Sequence, residues 1–545
     1  MTLRDRPEAQ ARVLAVGILG LVALSYAPSL SGDWVWDDLM QIAGSGALAR
    51  PLEWLVHDVW WLADGSTPST LYRPLAVITH VPGQAWVGGP GVERVVNLLL
   101  HLIAVVLVAR IGAGAGADPR AAWLGAALLG VHPGASEAVA WISARHDLLA
   151  SVFVLAGWLA LVRRRDVLAG VLLGLAPFCK EPFLLAPVAA ALWMLAVRRF
   201  APRTLMISSA GGLLYLVIRM AIELPLPVGA ARLEEPVAAL GGVARRGLEL
   251  VALPGAADAL PLFAPSLVAG VATLLAGAIS LAFARGRPVL GAILLPLPML
   301  LPAAAASAES GIIGDRFFYV AFAGLAVASG LALSRLWEWN PRLAAVAGLL
   351  IPALASGTWL RAADWTDNHS LFSASLERDP RNPYAAFHVG YTLHTEQGSC
   401  EQAIPYYLAS QGVEPRAGNN LQACFVEMGR FEEAIALGGS LVQRDRRRGT
   451  PAANTARALL ALGRVAEAES WAREALARQP DRPRTWVLLG TSLGRQGLHR
   501  EALEAFRRAL ALDPENGSAR RGLAVARSEI GADVVRVDPR VDGGG

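Results

Sequence analysis

The chain is expected to be all-α: a polytopic helical membrane domain followed by a tetratricopeptide-repeat α-solenoid. Three observations lead there. The 545 residues are 54% hydrophobic and only 17% charged, too apolar for a soluble protein of this size. That apolarity is uneven, with long apolar runs to about residue 360 and an Arg- and Glu-rich amphipathic stretch beyond Asp364. Within the second stretch, glycine, alanine and proline recur at one fixed period. The expected division is a membrane domain at 1–362, a repeat domain at 363–530 and a disordered tail at 531–545.

A helix crosses the hydrocarbon with about 20 apolar residues. About eleven runs qualify: 13–30, 94–111, 120–133, 148–162, 166–179, 182–197, 204–222, 266–284, 288–306, 317–335 and 343–360. The first lacks a small-residue cleavage site and is read as an uncleaved helix. Arginines punctuate the runs: Arg4, Arg6 and Arg12 before the first, then Arg163–Arg165, Arg198–Arg199, Arg285 with Arg287, and Arg335 with Arg342. With a cytoplasmic N-terminus and eleven crossings, all these clusters fall inside, as the positive-inside rule requires. Arg245 and Arg246 are the exception, on a long outer loop. The modest formal net charge of +4 therefore reads as topology rather than nucleic-acid binding. The loops 31–93, 132–147, 223–265 and 307–316, the corner at Lys180–Glu181 and everything after residue 361 then face outward. In a bacterium this is the periplasmic or extracellular side of the inner membrane.

The soluble part repeats every 34 residues, with Gly429, Gly463 and Gly497, Ala434, Ala468 and Ala502, and Pro480 and Pro514 in register. The last unit, with Trp486, Leu489, Gly490, Gly497, Ala502, Phe506, Ala509 and Pro514, has tetratricopeptide spacing. About four units are expected, the first at 382–415. Such arrays present a concave face for peptide or protein. Cys400 and Cys424 fall on adjacent antiparallel repeat helices, so they are either a disulfide or two small buried core residues.

The outer loops carry polar residues that an anchor does not need. After the first run comes "GDWVWDD", with Asp33, Asp37 and Asp38 beside Trp34 and Trp36. The tryptophans set depth at the interface, while carboxylates next to hydrocarbon are costly and point to function. Further along stand Tyr72 and Arg73, then His132, Glu137, Arg145 and Asp147, then Lys180 and Glu181, then Arg316. Lys180 is the only lysine, and its compact ammonium suits phosphate. Carboxylates and cations on one membrane face describe a site for an anionic lipid head group and a base. Arg73, Arg145, Lys180 and Arg316 are the candidate phosphate partners. Asp37 and Asp38 are the candidate proton acceptors, with Asp38 slightly preferred. Tyr72, His132, Glu137, Asp147 and Glu181 support them, whereas Asn97 and His101 read as packed helix residues. No cofactor is required by these residues. A divalent metal is the alternative use of Asp37, Asp38, Glu137 and His132, though no spacing among them forms a metal motif.

The ordered set "YRPL", "NLLLH", "HPGASEAVAWISARHDLL", "CKEP", "DRFFY" and "DWTDNHSLFSASL", leading into the repeats, resembles the transmembrane-and-tetratricopeptide-repeat O-mannosyltransferases. The resemblance covers nearly the whole chain. It implies a GT-C membrane core, a polyprenyl-phosphate-linked hexose donor (mannose by family) and transfer to Ser or Thr hydroxyls of exported proteins held by the repeats. It also implies that the essential acidic residue lies at Asp37 or Asp38. Two other readings remain open from the residues alone: a GT-C enzyme with a glycan or lipid acceptor, and a non-enzymatic scaffold for envelope assembly.

Overall fold

The computed structural model describes residues 5–38, 42, 71–80, 89–222, 234–258, 261, 269, 288–302, 304, 307, 311–340, 342, 346, 348–445 and 448–537. Among these there are helices and short 3-10 turns but no strand. The chain divides into two compact units, Met1–Arg378 and Asp379–Gly545.

The first unit contains α1 (Asp5–Ser25), α2 (Pro90–Gly114), α3 (Pro119–Gly130), α4 (Arg145–Val162), α5 (Asp166–Leu175), α6 (Ala186–Ala196), α7 (Pro202–Ala221), α8 (Glu234–Ala252), α9 (Pro288–Leu294), α10 (Tyr319–Trp339), α11 (Leu350–Ala363) and α12 (Asn368–Arg378). Among the described residues, five stretches are long and apolar enough to cross a membrane: Glu8–Ser25, Pro90–Gly114, Ile142–Val162, Pro202–Ala221 and Asp315–Trp339. Asp166–Phe178, Glu181–Ala196 and Gly291–Pro302 are shorter apolar helices. The expected span 266–284 lies outside the described residues apart from residue 269, and spans 288–306 and 343–360 are described in part.

Start signals are legible in the sequence. Asp118 caps α3 by accepting from the Arg120 N–H at 2.9 Å, with Pro119 at the first helical position. Pro177 and Pro182 tighten the chain on either side of Lys180 into 3-10 turns, which breaks α5 from α6 and makes the corner there. Small residues let helices touch. A Cβ on Gly125 of α3 would stand 2.5 Å from the Ala326 carbonyl and 2.7 Å from Gly330 on α10. Without a side chain there, the two backbones approach closely enough for dispersion to hold them.

The unit boundary after Arg378 comes later than the expected break at residue 362. The physical reason is polar and aromatic. Trp365 is fully buried, Asn368 Oδ1 accepts the Trp36 N–H at 2.7 Å, and Ser375 donates to Asp258, so the "DWTDNHSLFSASL" segment belongs to the first unit.

In the second unit four helix pairs are described: α13 (Pro383–Thr395) with α14 (Cys400–Ser410), α15 (Pro415–Glu427) with α16 (Phe431–Arg444), α17 (Thr450–Ala461) with α18 (Val465–Arg478), and α19 (Pro483–Arg495) with α20 (His499–Leu512). A closing helix, α21, spans Gly517–Val537. It extends past Gly531, where a disordered tail is expected, and residues 538–545 lie outside the described residues. The period has a backbone cause. Gly429, Gly463 and Gly497 turn the chain between the two helices of a pair at φ of 76°, 77° and 79°, a region that side-chain-bearing residues avoid. Ala434, Ala468 and Ala502, one register later, are completely buried where the helices meet. Cys400 and Cys424 are joined in a disulfide, with Cα atoms 5.2 Å apart. Gly490–Gly494 spells G-x-S-x-G, but Ser492 is buried in mid-helix and donates to the Leu488 carbonyl at 2.9 Å, so it is no nucleophile elbow.

Candidate active site

The acidic loop that follows α1 is held from below by Arg94. Its guanidinium donates to the carbonyls of Gly32 (2.5 Å), Ala140 (3.2 Å), Trp365 (3.0 Å) and Asp33. The Asp33 N–H donates to the Thr366 carbonyl at 2.6 Å. Trp36 stacks on Trp141 at 4.9 Å, and Trp141 stacks on Trp365 at 6.1 Å. Trp36, expected to mark depth in the interface, is therefore part of an internal aromatic column. Sequence reasoning passes over Arg94, although a charge inside an apolar helix is itself a signal.

The two aspartates of the loop have different surroundings. Asp38 is completely buried. Its Oδ1 accepts from the Ser143 N–H (2.9 Å) and hydroxyl (2.6 Å), and its Oδ2 accepts from the Val35 N–H at 3.3 Å. Burial pushes its pKa up to about 6, against the opposing pull of those bonds and of Arg94. Asp37 is only half-buried and lies within electrostatic reach of Arg316. Asp38, the slightly preferred proton acceptor, thus accepts three hydrogen bonds and is shut away from solvent, and Asp37 is the more open of the two.

Arg316 belongs to a compact cluster of charges. It pairs with Glu137, whose other oxygen accepts the Arg316 N–H at 2.9 Å, and its Nε is 3.8 Å from Asp147. Lys180 Nζ lies 2.6 Å from both oxygens of Asp147. Aromatic faces close over the cations: Phe317 is 4.6 Å from Lys180 Nζ and 4.8 Å from the Arg316 guanidinium, which is 4.9 Å from Trp141. Burial lowers the Lys180 pKa to about 8, opposed by Asp147 and reinforced by Arg316 and Arg73. Burial also raises that of Glu137, opposed by Arg316. Alongside, Arg73 grips Glu181 through Nε (3.0 Å) and Nη2 (2.9 Å), and the Tyr72 N–H reaches the same carboxylate at 3.1 Å. His146 is buried nearby; its Nδ1 meets the Ser143 carbonyl at 2.5 Å, and its Nε2 has no hydrogen-bond partner among the described residues.

Other expected site residues stand apart. Arg145 is completely buried, and its donors go to Asn97 Oδ1 (2.8 Å), the Thr79 carbonyl (3.1 Å), the Glu93 carbonyl (2.7 Å) and the Glu93 carboxylate (2.5 Å). Four of its five N–H donors are thereby engaged inside the unit. His132 accepts the Gly134 N–H at 3.1 Å and stacks on Phe322 at 4.4 Å, a packing role. His101 bridges the Tyr319 hydroxyl (2.6 Å) and the Gly130 carbonyl (3.0 Å), and Asn97 serves Arg145 and the Trp141 carbonyl, both as expected for packed helix residues. Arg246, the misfit of the positive-inside pattern, forms a two-pronged pair with Asp315 at 2.9 Å. Among the described residues, Asp37, Asp38, Glu137 and His132 do not gather into a ligand set. The group that does converge is His394, Cys400 and Cys424, and two of its members are the disulfide.

Tetratricopeptide repeat profiles match residues 425–490 and 487–531. Over 94% of its length the chain is 23% identical to human Protein O-mannosyl-transferase TMTC3, and 24% identical to the mouse protein of that name. The chain spans about two thirds of the length of these relatives, 66% and 65%. Human Protein O-mannosyl-transferase TMTC4 is 34% identical over 165 residues, covering 27% of this chain and 22% of that one. Among solved structures, the first TPR domain of human RPAP3 matches at 21% identity and a TM-score of 0.22, covering 22% of this chain and 95% of that one. Along nearly its whole length, the chain is similar to tetratricopeptide-repeat proteins that carry the name Protein O-mannosyl-transferase TMTC.

Proposed function

We propose that the protein is a membrane glycosyltransferase that moves a hexose, mannose by family, from a polyprenyl-phosphate sugar to Ser or Thr hydroxyls of exported proteins. The reaction takes place on the outer side of the membrane, in a bacterium the periplasmic side of the inner membrane, where the repeats also lie. One observation carries this reading: a half-buried carboxylate, Asp37, stands within reach of a cluster in which Lys180 and Arg316 are brought together around Asp147.

The chemistry is a single displacement. The acceptor Oγ attacks the anomeric carbon as the bond from that carbon to the phosphate oxygen breaks. Asp37 takes the hydroxyl proton, and the polyprenyl phosphate leaves with the electron pair, so the anomeric centre inverts. Lys180 and Arg316 neutralise the leaving phosphate, and charge stabilisation there is the largest contribution. Arg73, anchored by Glu181 and by the backbone of Tyr72, adds a third cation at the edge. Glu137 and Asp147 fix the aim of Arg316 and Lys180. Asp38 acts through the backbone: it locks the loop to Ser143 and so sets where Asp37 points. Arg145 holds Glu93 and Asn97 and leaves the donor set.

The test is transfer in vitro from defined polyprenyl-phosphate sugars to a Ser/Thr-containing acceptor, read by intact mass. One hexose added per acceptor from the mannosyl donor is the expected result. No transfer from any polyprenyl-phosphate hexose, by protein that is folded and membrane-inserted, overturns it.

A further inference from the structure

Four groups with the chemistry of metal ligands meet at one end of the first two repeat pairs. His394 lies in the last turn of α13, Cys400 opens α14, and Cys424 and Glu427 lie in the last turn of α15. Gly398, at φ of 67°, reverses the chain between α13 and α14 and returns Cys400 to the side of His394. Cys424 and Glu427 are three residues apart on one helix and so share a face. The ligand atoms of His394, Cys400 and Cys424 all lie within 4.8 Å of one another. Glu427 Oε2 stands 3.2 Å from His394 Nε2 and 3.5 Å from Cys400 Sγ. On the other side of the ring, His394 Nδ1 is 3.2 Å from the Tyr407 hydroxyl, an outer partner that fixes the ring and leaves Nε2 on the side of Glu427. Cys424 is completely buried and the Glu427 side chain is half exposed, so the cluster opens to solvent on one side.

We propose that these four residues form a zinc site when the Cys400–Cys424 disulfide is reduced, so that the repeats carry two interchangeable cross-links. Two thiolates, one imidazole and one carboxylate make a donor set that tetrahedral zinc takes. A dithiol reductant supplies two electrons and two protons: its own sulfurs join, the S–S bond breaks and two thiols appear. Zinc displaces one proton from each thiol as its bonds to the two sulfurs form, and His394 Nε2 and a Glu427 oxygen complete the shell. With Zn–S bonds of about 2.3 Å at the tetrahedral angle, the sulfurs stand about 3.8 Å apart. Rotation about the two Cα–Cβ bonds opens them that far while the Cα atoms keep their separation of 5.2 Å. A disulfide oxidant runs the sequence backwards. The two thiolates give up two electrons, the S–S bond reforms and zinc leaves, while the oxidant takes up two protons and becomes a dithiol. Either link ties α14 to α15, so the first two pairs are joined in both forms and open only in the metal-free dithiol. None of this depends on the transfer reaction.

The test is zinc binding by the full-length protein in detergent, with no sugar donor present. Protein reduced with a phosphine and stripped of metal under nitrogen is mixed with zinc chloride and washed, and its zinc is counted by atomic emission. One zinc per chain is expected in the reduced protein and none in the oxidised protein. Cobalt in place of zinc should give thiolate charge-transfer bands and the visible bands of a tetrahedral ion. Cys400→Ser with Cys424→Ser is the reference and should hold no zinc in either state. His394→Ala and Glu427→Ala keep the disulfide, so their folding is checked in the oxidised form by circular dichroism. In the reduced form His394→Ala should weaken zinc binding by at least about 100-fold, the upper end of the range for losing only an outer partner, and Glu427→Ala by less. No zinc on the reduced wild type overturns the proposal. So does equal affinity in His394→Ala and wild type, or zinc on the double-serine reference at the wild-type level. Hydrogen exchange in α13 and α14 should be slow in the oxidised and zinc-loaded proteins and fast in the reduced, metal-free one. Fast exchange in the zinc-loaded protein overturns the cross-link.

Discussion

The two units use the same residue, arginine, under opposite rules. In the first unit, Arg94 and Arg145 are swallowed whole, and their guanidinium groups are spent on backbone carbonyls and on one buried carboxylate. In the repeats, arginines lie on the surface, paired one turn along a helix or facing an open groove. A buried guanidinium left without partners is expensive, so geometry there is dictated and cannot drift. An exposed pair contributes little to stability and leaves the residue available for a partner. The catalytic candidates lie between these extremes: Asp37 and Arg316 are partly open, close to groups that are fully closed.

The largest expected effect separates the two aspartates. Asp37→Asn should lower kcat/KM by about 10²–10⁴-fold, the range for loss of a general base, with unchanged thermal unfolding. Asp38→Asn should cost less and act on the pH profile. In the wild type, activity should fall as pH drops through about 6, because protonation of Asp38 weakens the bonds that hold the loop. The Asn variant should lose that limb. An Asp38 variant as inactive as the Asp37 variant would break the distinction.

Arg145→Ala comes next. Glu93 would be left charged and buried, and about 3–5 kcal/mol of stability should go with the partner. Thermal unfolding in detergent should shift by many degrees, with transfer by the surviving folded fraction retained. Loss of donor affinity without loss of stability would return Arg145 to the phosphate site.

Lys180 offers a graded test. A lysine with its pKa lowered to about 8 is charged below that pH and neutral above it. Donor KM should therefore rise as pH passes 8, by up to about tenfold per unit where the charge is required. Lys180→Arg, which stays protonated, should flatten that dependence. A profile identical in both proteins would make Lys180 a structural partner of Asp147 alone.

The smallest effect lies in the repeats. Arg464→Ala should produce no resolvable change in unfolding temperature, because the pair it breaks is exposed. A clear drop there would erase the contrast between the units.

These differences explain what the residues reveal in order and what they hide. The repeats are legible because a backbone constraint recurs: one glycine with positive φ in each turn leaves a period that no side-chain substitution can disguise. The acidic loop is legible because carboxylates beside an apolar run are costly. The surroundings of Arg145 are hidden because a phosphate-binding arginine and a structural one differ only in which oxygens surround them. Those oxygens, on Thr79, Glu93 and Asn97, come from separate parts of the chain. The anchoring of Asp38 is hidden for a similar reason, since Ser143 lies 105 residues away in sequence. Arg246 is the instructive exception. Its poor fit to the charge rule marks a residue kept for another purpose, and Asp315 is that purpose.

The Cys400–Cys424 bond joins α14 of the first pair to α15 of the second. Helical arrays melt like one-dimensional lattices, losing terminal units first and propagating inward through nearest-neighbour interfaces. A covalent link across one interface removes that step from the sequence: the first two pairs must melt together or stay. Fraying is then directed to the other end, toward α21, whose far turns are the cheapest part of the lattice to open. Under reductant the zipper should acquire a second free end, and hydrogen exchange in α13 and α14 should rise to match that in α21.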